Sequence, residues 1–317
     1  MNIALIGYGE VGRILAEDLR AGGHPVTAFD LKLPSRAAEP LRAHAAAHGV
    51  TTADSHAGAV RNAELVVSAV TASQTTAAAE ACARGLPRGA FFLDFNSASP
   101  GAKVRAAEHV SRAGARYVEG AVMTSVPPHR IRVPLLLGGP HAEEILPVLR
   151  ELGFSPEVAS PRLGVASATK MCRSVIIKGL EALVIESFTA ARRHGVEGAV
   201  LASLRETFPG LDWEKQASYF FQRVVEHGRR RGEEMREAAV TVAEAGLEPW
   251  SASATAERQT WMSSLAEAGI FGARDDAAFA RSPDWRTEAD RILEHLGAQM
   301  GGAAGAAAES ATGTRRG

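Results

Sequence analysis

"NIALIGYGEVG", residues 2–12, runs from an apolar stretch directly into glycines at positions 7, 9 and 12. An apolar run that ends in Gly reads as a buried strand. The residues after it carry helical periodicity at Val11, Ile14, Leu15, Ala16 and Leu19, until Gly22 and Gly23 stop the helix. A second strand, "PVTAFD" (25–30), ends in Asp30, 23 residues beyond Gly7. A lone Gly-x-Gly-x-x-Gly carries little weight. Between a strand and a helix, with an acidic residue at the end of the next strand, it is a dinucleotide-binding fingerprint. Gly7 permits the tight turn, Gly9 lets the backbone approach a pyrophosphate, and Gly12 lets helix and strand pack closely. The helix N-terminus, at Glu10 and Val11, offers N–H groups and the positive end of the helix dipole. Asp30 is placed to accept hydrogen bonds from the adenosine ribose and to repel a 2′-phosphate, which favours NAD over NADP. Lys32 and Arg36 follow closely enough to keep NADP open.

Farther along, "ELVVSAV" (64–70), "AFFLDF" (90–95), "ARYVEGAV" (115–122) and "RVPLLLGG" (132–139) read as further strands separated by helical segments. Near-continuous apolar strands alternating with helices predict an α/β fold, a Rossmann-type parallel sheet buried on both faces. Ligands bind outside the carboxyl ends of such strands. That makes Val70 and Thr71 after one strand, and Asn96 and Ser97 after another, candidate cofactor contacts. An ordinary helix N-cap at Ser97 or Ser99 is the plainer alternative.

After "SPRLG" (160–164) the pattern changes to helices, the first running from about Val165 to His194 and thus about 40 Å long. This divides the chain into a dinucleotide-binding domain over 1–162 and an all-helical substrate and dimerisation domain over 163–299. The small-residue tail over 300–317 buries too little apolar surface to repay ordering and is expected to be disordered, with a helical alanine tail as the alternative.

The 317-residue chain has a formal net charge of −1, which gives no reason to expect nucleic acid or a membrane surface as a partner. Two cysteines, Cys82 and Cys172, without metal-type spacing argue against disulfide scaffolding and structural zinc, and favour a reduced, cytoplasmic setting. The N-terminus lacks the features of a signal peptide, and no apolar run is long enough to span a bilayer.

The long helix opens with "SATKMCRSVIIKG" (167–179). At 100° per residue Lys170, Arg173 and Ser174 share one stripe, with Lys178 at its edge. Together with "GYGEVG" and the Asn-Ser-x-x-Pro of "NSASP" (96–100), this segment resembles the β-hydroxyacid dehydrogenase superfamily, which includes 3-hydroxyisobutyrate and 6-phosphogluconate dehydrogenases. "RYVEGAVM", "LLLGGPHA" and "FPGLDW" are similar to a branch whose helical domain has no assigned role. The resemblance implies an oxidoreductase that transfers hydride between NAD or NADP and the carbinol carbon of a hydroxy acid or related alcohol, working in a cleft between its two domains. It assigns Lys170 the part of general acid/base. Arg173 or Lys178 would hold the substrate's acid group, while Ser174 and the segment Gly120, Ala121, Val122 and Met123 would position it.

The chain departs from the family pattern at two places. Arg173 and Ser174 stand where many members carry asparagine, and "EGAVMTSVPPHR" replaces a Ser-Gly-Gly substrate loop. That points to a substrate larger or less polar than 3-hydroxyisobutyrate; Ser125, His129 and Arg130 could reach it, with plain loop residues as the first reading of each. An imine reductase of the same fold and a non-catalytic nicotinamide-nucleotide sensor stay open as alternatives. No metal site is expected: His44 and His48 share a helix face in "HAAAH" but have no obvious third ligand. "HGRRRGEEMRE" (227–237) reads as a solvated helix with paired charges. A small-molecule substrate and a homodimer or higher homo-oligomer complete the expectations.

Overall fold

The computed structural model describes residues 1–35, 38–276, 279–280 and 282–313, without the side chains of residues 300–313. The chain divides into two compact units: Met1–Val175 with Arg236–Pro249, and Ile176–Met235 with Trp250–Gly317.

The first unit holds β1 (Ile3–Ile6), α1 (Glu10–Ala21), β2 (Val26–Phe29), α2 (Glu39–Ala47), β3 (Thr51–Thr52), α3 (His56–Val60), β4 (Leu65–Ser68), α4 (Thr75–Ala83), β5 (Phe91–Asp94), α5 (Pro100–Arg112), β6 (Arg116–Val122), α6 (Val126–His129), β7 (Pro134–Gly138), α7 (Ala142–Glu151) and β8 (Ser155–Ser160). The strands form one sheet in the order β3-β2-β1-β4-β5-β6-β7-β8. Neighbours are parallel except β6 and β7. In β1, Ile3 and Leu5 pack on one face with Leu15, Leu93 and Val118. Ala4 and Ile6 pack on the other with Val66, Phe92 and Tyr117. Both faces are covered, so β1 is apolar at every position rather than alternating. Each buried large aliphatic side chain contributes about 1.5–3 kcal/mol.

Three features of the sheet were not expected. β3 is two threonines, too short for a hydrophobic pattern. β8 is mostly exposed and carries Pro156, as edge strands do. β7 runs antiparallel to β6, with Gly120 opposite Leu137. Residues 123–133 between them are too few for a parallel crossover, which needs roughly a dozen or more.

Helix α8 (Val165–His194) has the bounds the sequence predicts; α9 (Glu197–Thr207), α10 (Trp213–Glu244), α11 (Trp250–Glu267) and α12 (Trp285–Gly313) follow. The second unit is all-α, and its core gathers Phe188, Trp213, Phe221, Met262 and Trp285. The charge run over 227–237 lies inside α10, which is one continuous helix. Its charge run is only partly solvated: Arg231 is buried against Glu181, and Lys178 pairs with Glu234 at 2.7 Å. Gly228 and Gly232 explain the burial, since a Cβ on either would fall 2.6 Å from an α11 atom, the Gln259 carbonyl oxygen or the Thr260 hydroxyl. The backbone of α12 is helical through residue 313, where a disordered tail was expected; alanine has the highest intrinsic helix propensity. Residues 314–317 lie outside the described residues. Among the described residues, no helix is long and apolar enough to cross a membrane.

Candidate active site

The glycine turn after β1 is set by steric exclusion. Gly7 has φ +92, and a Cβ on it would lie 2.4 Å from the Ala69 carbonyl oxygen at the end of β4. A Cβ on Gly12 would lie 2.1 Å from the Gly7 carbonyl oxygen, so only glycine lets α1 sit this close to the turn. Gly9 differs: nothing lies within 4 Å of its added Cβ, and as N-cap of α1 it leaves the helix terminus without a side-chain cap. Exposed Glu10 and half-buried Val11 open the first turn. Uncapped N–H donors facing open space, with the dipole behind them, suit a pyrophosphate.

Asp30 braces this turn. Its Oδ2 accepts from the Tyr8 N–H at 2.8 Å and its Oδ1 from the Lys32 N–H at 2.9 Å. Each oxygen keeps a lone pair for a ribose hydroxyl, so the loop-bracing and ligand-binding readings are compatible. Arg36, the second residue expected to admit a 2′-phosphate, lies outside the described residues. The donors, the open approach at Gly9 and the acidic strand end together fit a nicotinamide dinucleotide.

Next along the sheet, Asn96 ties two strand ends together. Its Oδ1 accepts from the Val70 N–H at 2.7 Å, its Nδ2 donates to Ser68 Oγ at 3.1 Å, and its own N–H donates to Asp94 Oδ1 at 2.9 Å. Val70 is half-buried, and Thr71 is exposed at the N-cap of a short 3-10 turn. Beneath them the buried Asp94 carboxylate accepts from Lys103 Nζ at 2.8 Å and from the Tyr117 hydroxyl at 2.7 Å. Burial and the adjacent carboxylate push the Tyr117 phenol well above its usual range, so it stays a donor.

Lys170, half-buried in the second turn of α8, donates from Nζ to Ser97 Oγ at 2.5 Å. Ser97 follows β5, next to the strand ends that carry Asn96 and Val70. Its neighbour Ser99 is the N-cap of α5, accepting from the Ala102 N–H at 3.3 Å. Ser99 in turn donates its own N–H to Glu237 at 2.8 Å. The amine predicted to handle protons is therefore held at the carboxyl edge of the sheet that also carries the glycine turn.

The other substrate-binding expectations are placed differently. Arg173 is exposed and Ser174 is buried, one turn beyond Lys170. Lys178 belongs to the second unit and is engaged by Glu234, so its charge is already matched. Gly120, Ala121 and Val122 are buried within β6 rather than in a loop, and the Met123 N–H donates to the Pro134 carbonyl at 3.0 Å. Arg130 is bound by Glu17 and Asp18 instead of facing a ligand. Cys172 is exposed, while burial pushes the Cys82 thiol up to about 12.

A third partner for the histidine pair does exist. Glu17, His44 and His48 bring ligand atoms within 4.8 Å of one another. His44 already uses both ring nitrogens, at 2.9 Å from the Tyr8 hydroxyl and 2.9 Å from Glu17.

Sequence reading missed Glu119, Asp94, Lys103, Tyr117 and Glu237. The available signal was an acidic residue inside an apolar strand, in "FFLDF" and "YVEGAV", because a buried carboxylate must be paired.

Two family descriptions match the chain: the NAD binding domain of 6-phosphogluconate dehydrogenase over residues 2–155, and a domain of unknown function (DUF1932) over residues 191–262. A conserved hypothetical protein from Sinorhizobium meliloti 1021 is 38% identical, with 93% of this chain and 96% of that one covered and a TM-score of 0.72. A mitochondrial 3-hydroxyisobutyrate dehydrogenase from Drosophila melanogaster is 25% identical over 68% of this chain and 66% of its own. A Mycobacterium tuberculosis 3-hydroxyisobutyrate dehydrogenase shares the fold at 19% identity, with a TM-score of 0.66 and coverage of 83% and 94%. A nicotinamide-nucleotide sheet domain, a helical region after it and these relatives agree: the chain belongs to the β-hydroxyacid dehydrogenase superfamily.

Proposed function

We propose that the protein catalyses reversible hydride transfer between a nicotinamide dinucleotide and the carbinol carbon of a hydroxy acid, with Lys170 moving the hydroxyl proton. The observation that carries this reading is the Lys170 Nζ held 2.5 Å from Ser97 Oγ at the carboxyl edge of the sheet. The bound nicotinamide supplies or accepts the hydride. In oxidation the neutral Lys170 amine takes the proton from the substrate hydroxyl as hydride leaves the carbon. In reduction the ammonium returns it to the carbonyl oxygen. A positioned amine of this kind contributes about 10²–10⁴-fold to the rate.

Ser97 orients the amine between turnovers. Exposed Arg173 binds the substrate carboxylate, a task suited to its planar pair of donors, and Ser174 adds a hydrogen bond one helical turn from Lys170. With Lys178 matched by Glu234, the substrate's acid group falls to Arg173. Asp30 favours NAD over NADP, and the assembled form is a homodimer.

The test is a panel of hydroxy acids, 3-hydroxyisobutyrate and L-serine among them, followed at 340 nm with NAD and NADP. The expected result is turnover of at least one acid, with Lys170→Ala binding NADH as the native protein does but turning over at least ~10²-fold more slowly. Reduction of cyclic imines without oxidation of any hydroxy acid would favour an imine reductase. Tight NADH binding without turnover of either class would favour a sensor.

A further inference from the structure

We propose that Glu119 is a positioning residue for Lys170, its buried carboxylate setting the first turn of α8 and so the place of the lysine amine. This rests on the reading of Lys170 as the acid/base.

Glu119 sits in the middle of β6 and is fully buried. A carboxylate there is costly unless its oxygens are bonded. Its Oε2 accepts from the Gly164 N–H at 2.7 Å, and its Oε1 accepts from the Ser167 N–H. These are two of the donors that the start of a helix leaves without intrahelical partners. Gly164, at φ +88 immediately before α8, has no side chain with which to cap them. The carboxylate of a sheet residue takes over the cap and adds charge at the favourable end of the dipole.

Two bonds, to residues three apart, fix both the height and the rotational phase of the turn. Lys170 follows Ser167 by three residues and shares its face of the helix. The strand register completes the connection. Glu119 pairs with Asp94 across β6 and β5, and β5 leads into Ser97. Neighbouring positions of two adjacent strands thus govern the two partners of the Lys170–Ser97 bond. Room for the carboxylate comes from β7, where a Cβ on Gly138 would lie 2.7 Å from Glu119 Oε2.

The experiment compares Glu119→Gln, Glu119→Asp, Gly138→Ala, Lys170→Ala and the Glu119→Gln/Lys170→Ala double variant. NADH affinity is read by fluorescence, turnover with the fastest acid of the panel above, and backbone order by hydrogen exchange of the peptide spanning residues 163–170. Glu119→Gln should lower kcat about tenfold or more, with the NADH Kd within about twofold, and speed exchange in that peptide. Glu119→Asp should restore part of kcat. The double variant should be no slower than Lys170→Ala, because residues acting through one group are non-additive. Gly138→Ala, which keeps the carboxylate but crowds it, should reproduce the kcat loss if Glu119→Gln does not fold. Unchanged exchange, an unchanged kcat beside a slow Lys170→Ala, or losses that multiply in the double variant would overturn the inference. A Lys170→Ala variant as fast as the native protein would instead remove the lysine reading, and this inference with it.

Discussion

Arg130 has φ 53, in the region that favours glycine, at a cost to a larger residue of about 1–3 kcal/mol. Contacts to α1 hold it there. Its guanidinium meets Glu17 and Asp18 at 2.7 Å, and the next N–H, of Ile131, donates to Asp18 at 3.0 Å. Glu17 also bonds His44, and the hydrogen bonds from His44 and Arg130 hold its carboxyl below the usual range. A carboxyl with a lower pKa in the folded state than in the unfolded one stabilises fully above the unfolded value. It loses that contribution as pH falls through the folded value. Denaturant unfolding should therefore show Glu17→Gln less stable than the native protein near pH 7, with the gap closing below about pH 4.

The helix pair α10 and α11 shows a constraint that the sequence hides. The run 227–237 carries charges of both signs, which reads as a wet surface, yet its glycines let two backbones meet. Gly228→Ala would place a methyl 2.6 Å from the Gln259 carbonyl oxygen, and backbone cannot yield as a side-chain tip does. The expected loss is about 1–3 kcal/mol, measured as a lower Tm in calorimetry, while Gly198→Ala in α9, with nothing within 4 Å, should keep or raise Tm, because alanine favours the helix without a clash. Strands β1, β4, β5 and β6 were legible because burial on both faces leaves a run that is apolar at most positions. β3 and β8 were not, because a two-residue strand and an exposed edge carry no such signal. The direction of β7 depends on connection length, which hydrophobicity does not report.

For the molecule as a whole, the Rossmann-type sheet and the helical second half followed from "GYGEVG", from strand spacing and from the unbroken helix after residue 165. The residues proposed for the site were named from the sequence as well: the glycines, Asp30, Asn96 and Lys170. What the sequence did not reveal is their partnering. Lys178 looked like a substrate ligand until Glu234, 56 residues away in the chain, matched its charge. Glu119, within an expected strand, had no role until its bonds to the start of α8 appeared. Such pairings depend on which distant residue the fold brings alongside, and no local pattern encodes that. The proposed homodimer is argued from α8, where Ile176 and Leu183, seven residues apart on one face, are 69% and 65% exposed. Light scattering should give twice the chain mass for the native protein and a shift toward the monomer for Ile176→Glu/Leu183→Glu.

The most direct test of the account is the rate of cofactor reduction by Lys170→Ala with and without added ethylamine, at saturating cofactor. If Lys170 carries the proton, the variant is slowed at least ~10²-fold, and the rate climbs with the concentration of free amine while NADH affinity stays constant. A variant that reduces cofactor at the native rate with no amine present would contradict it.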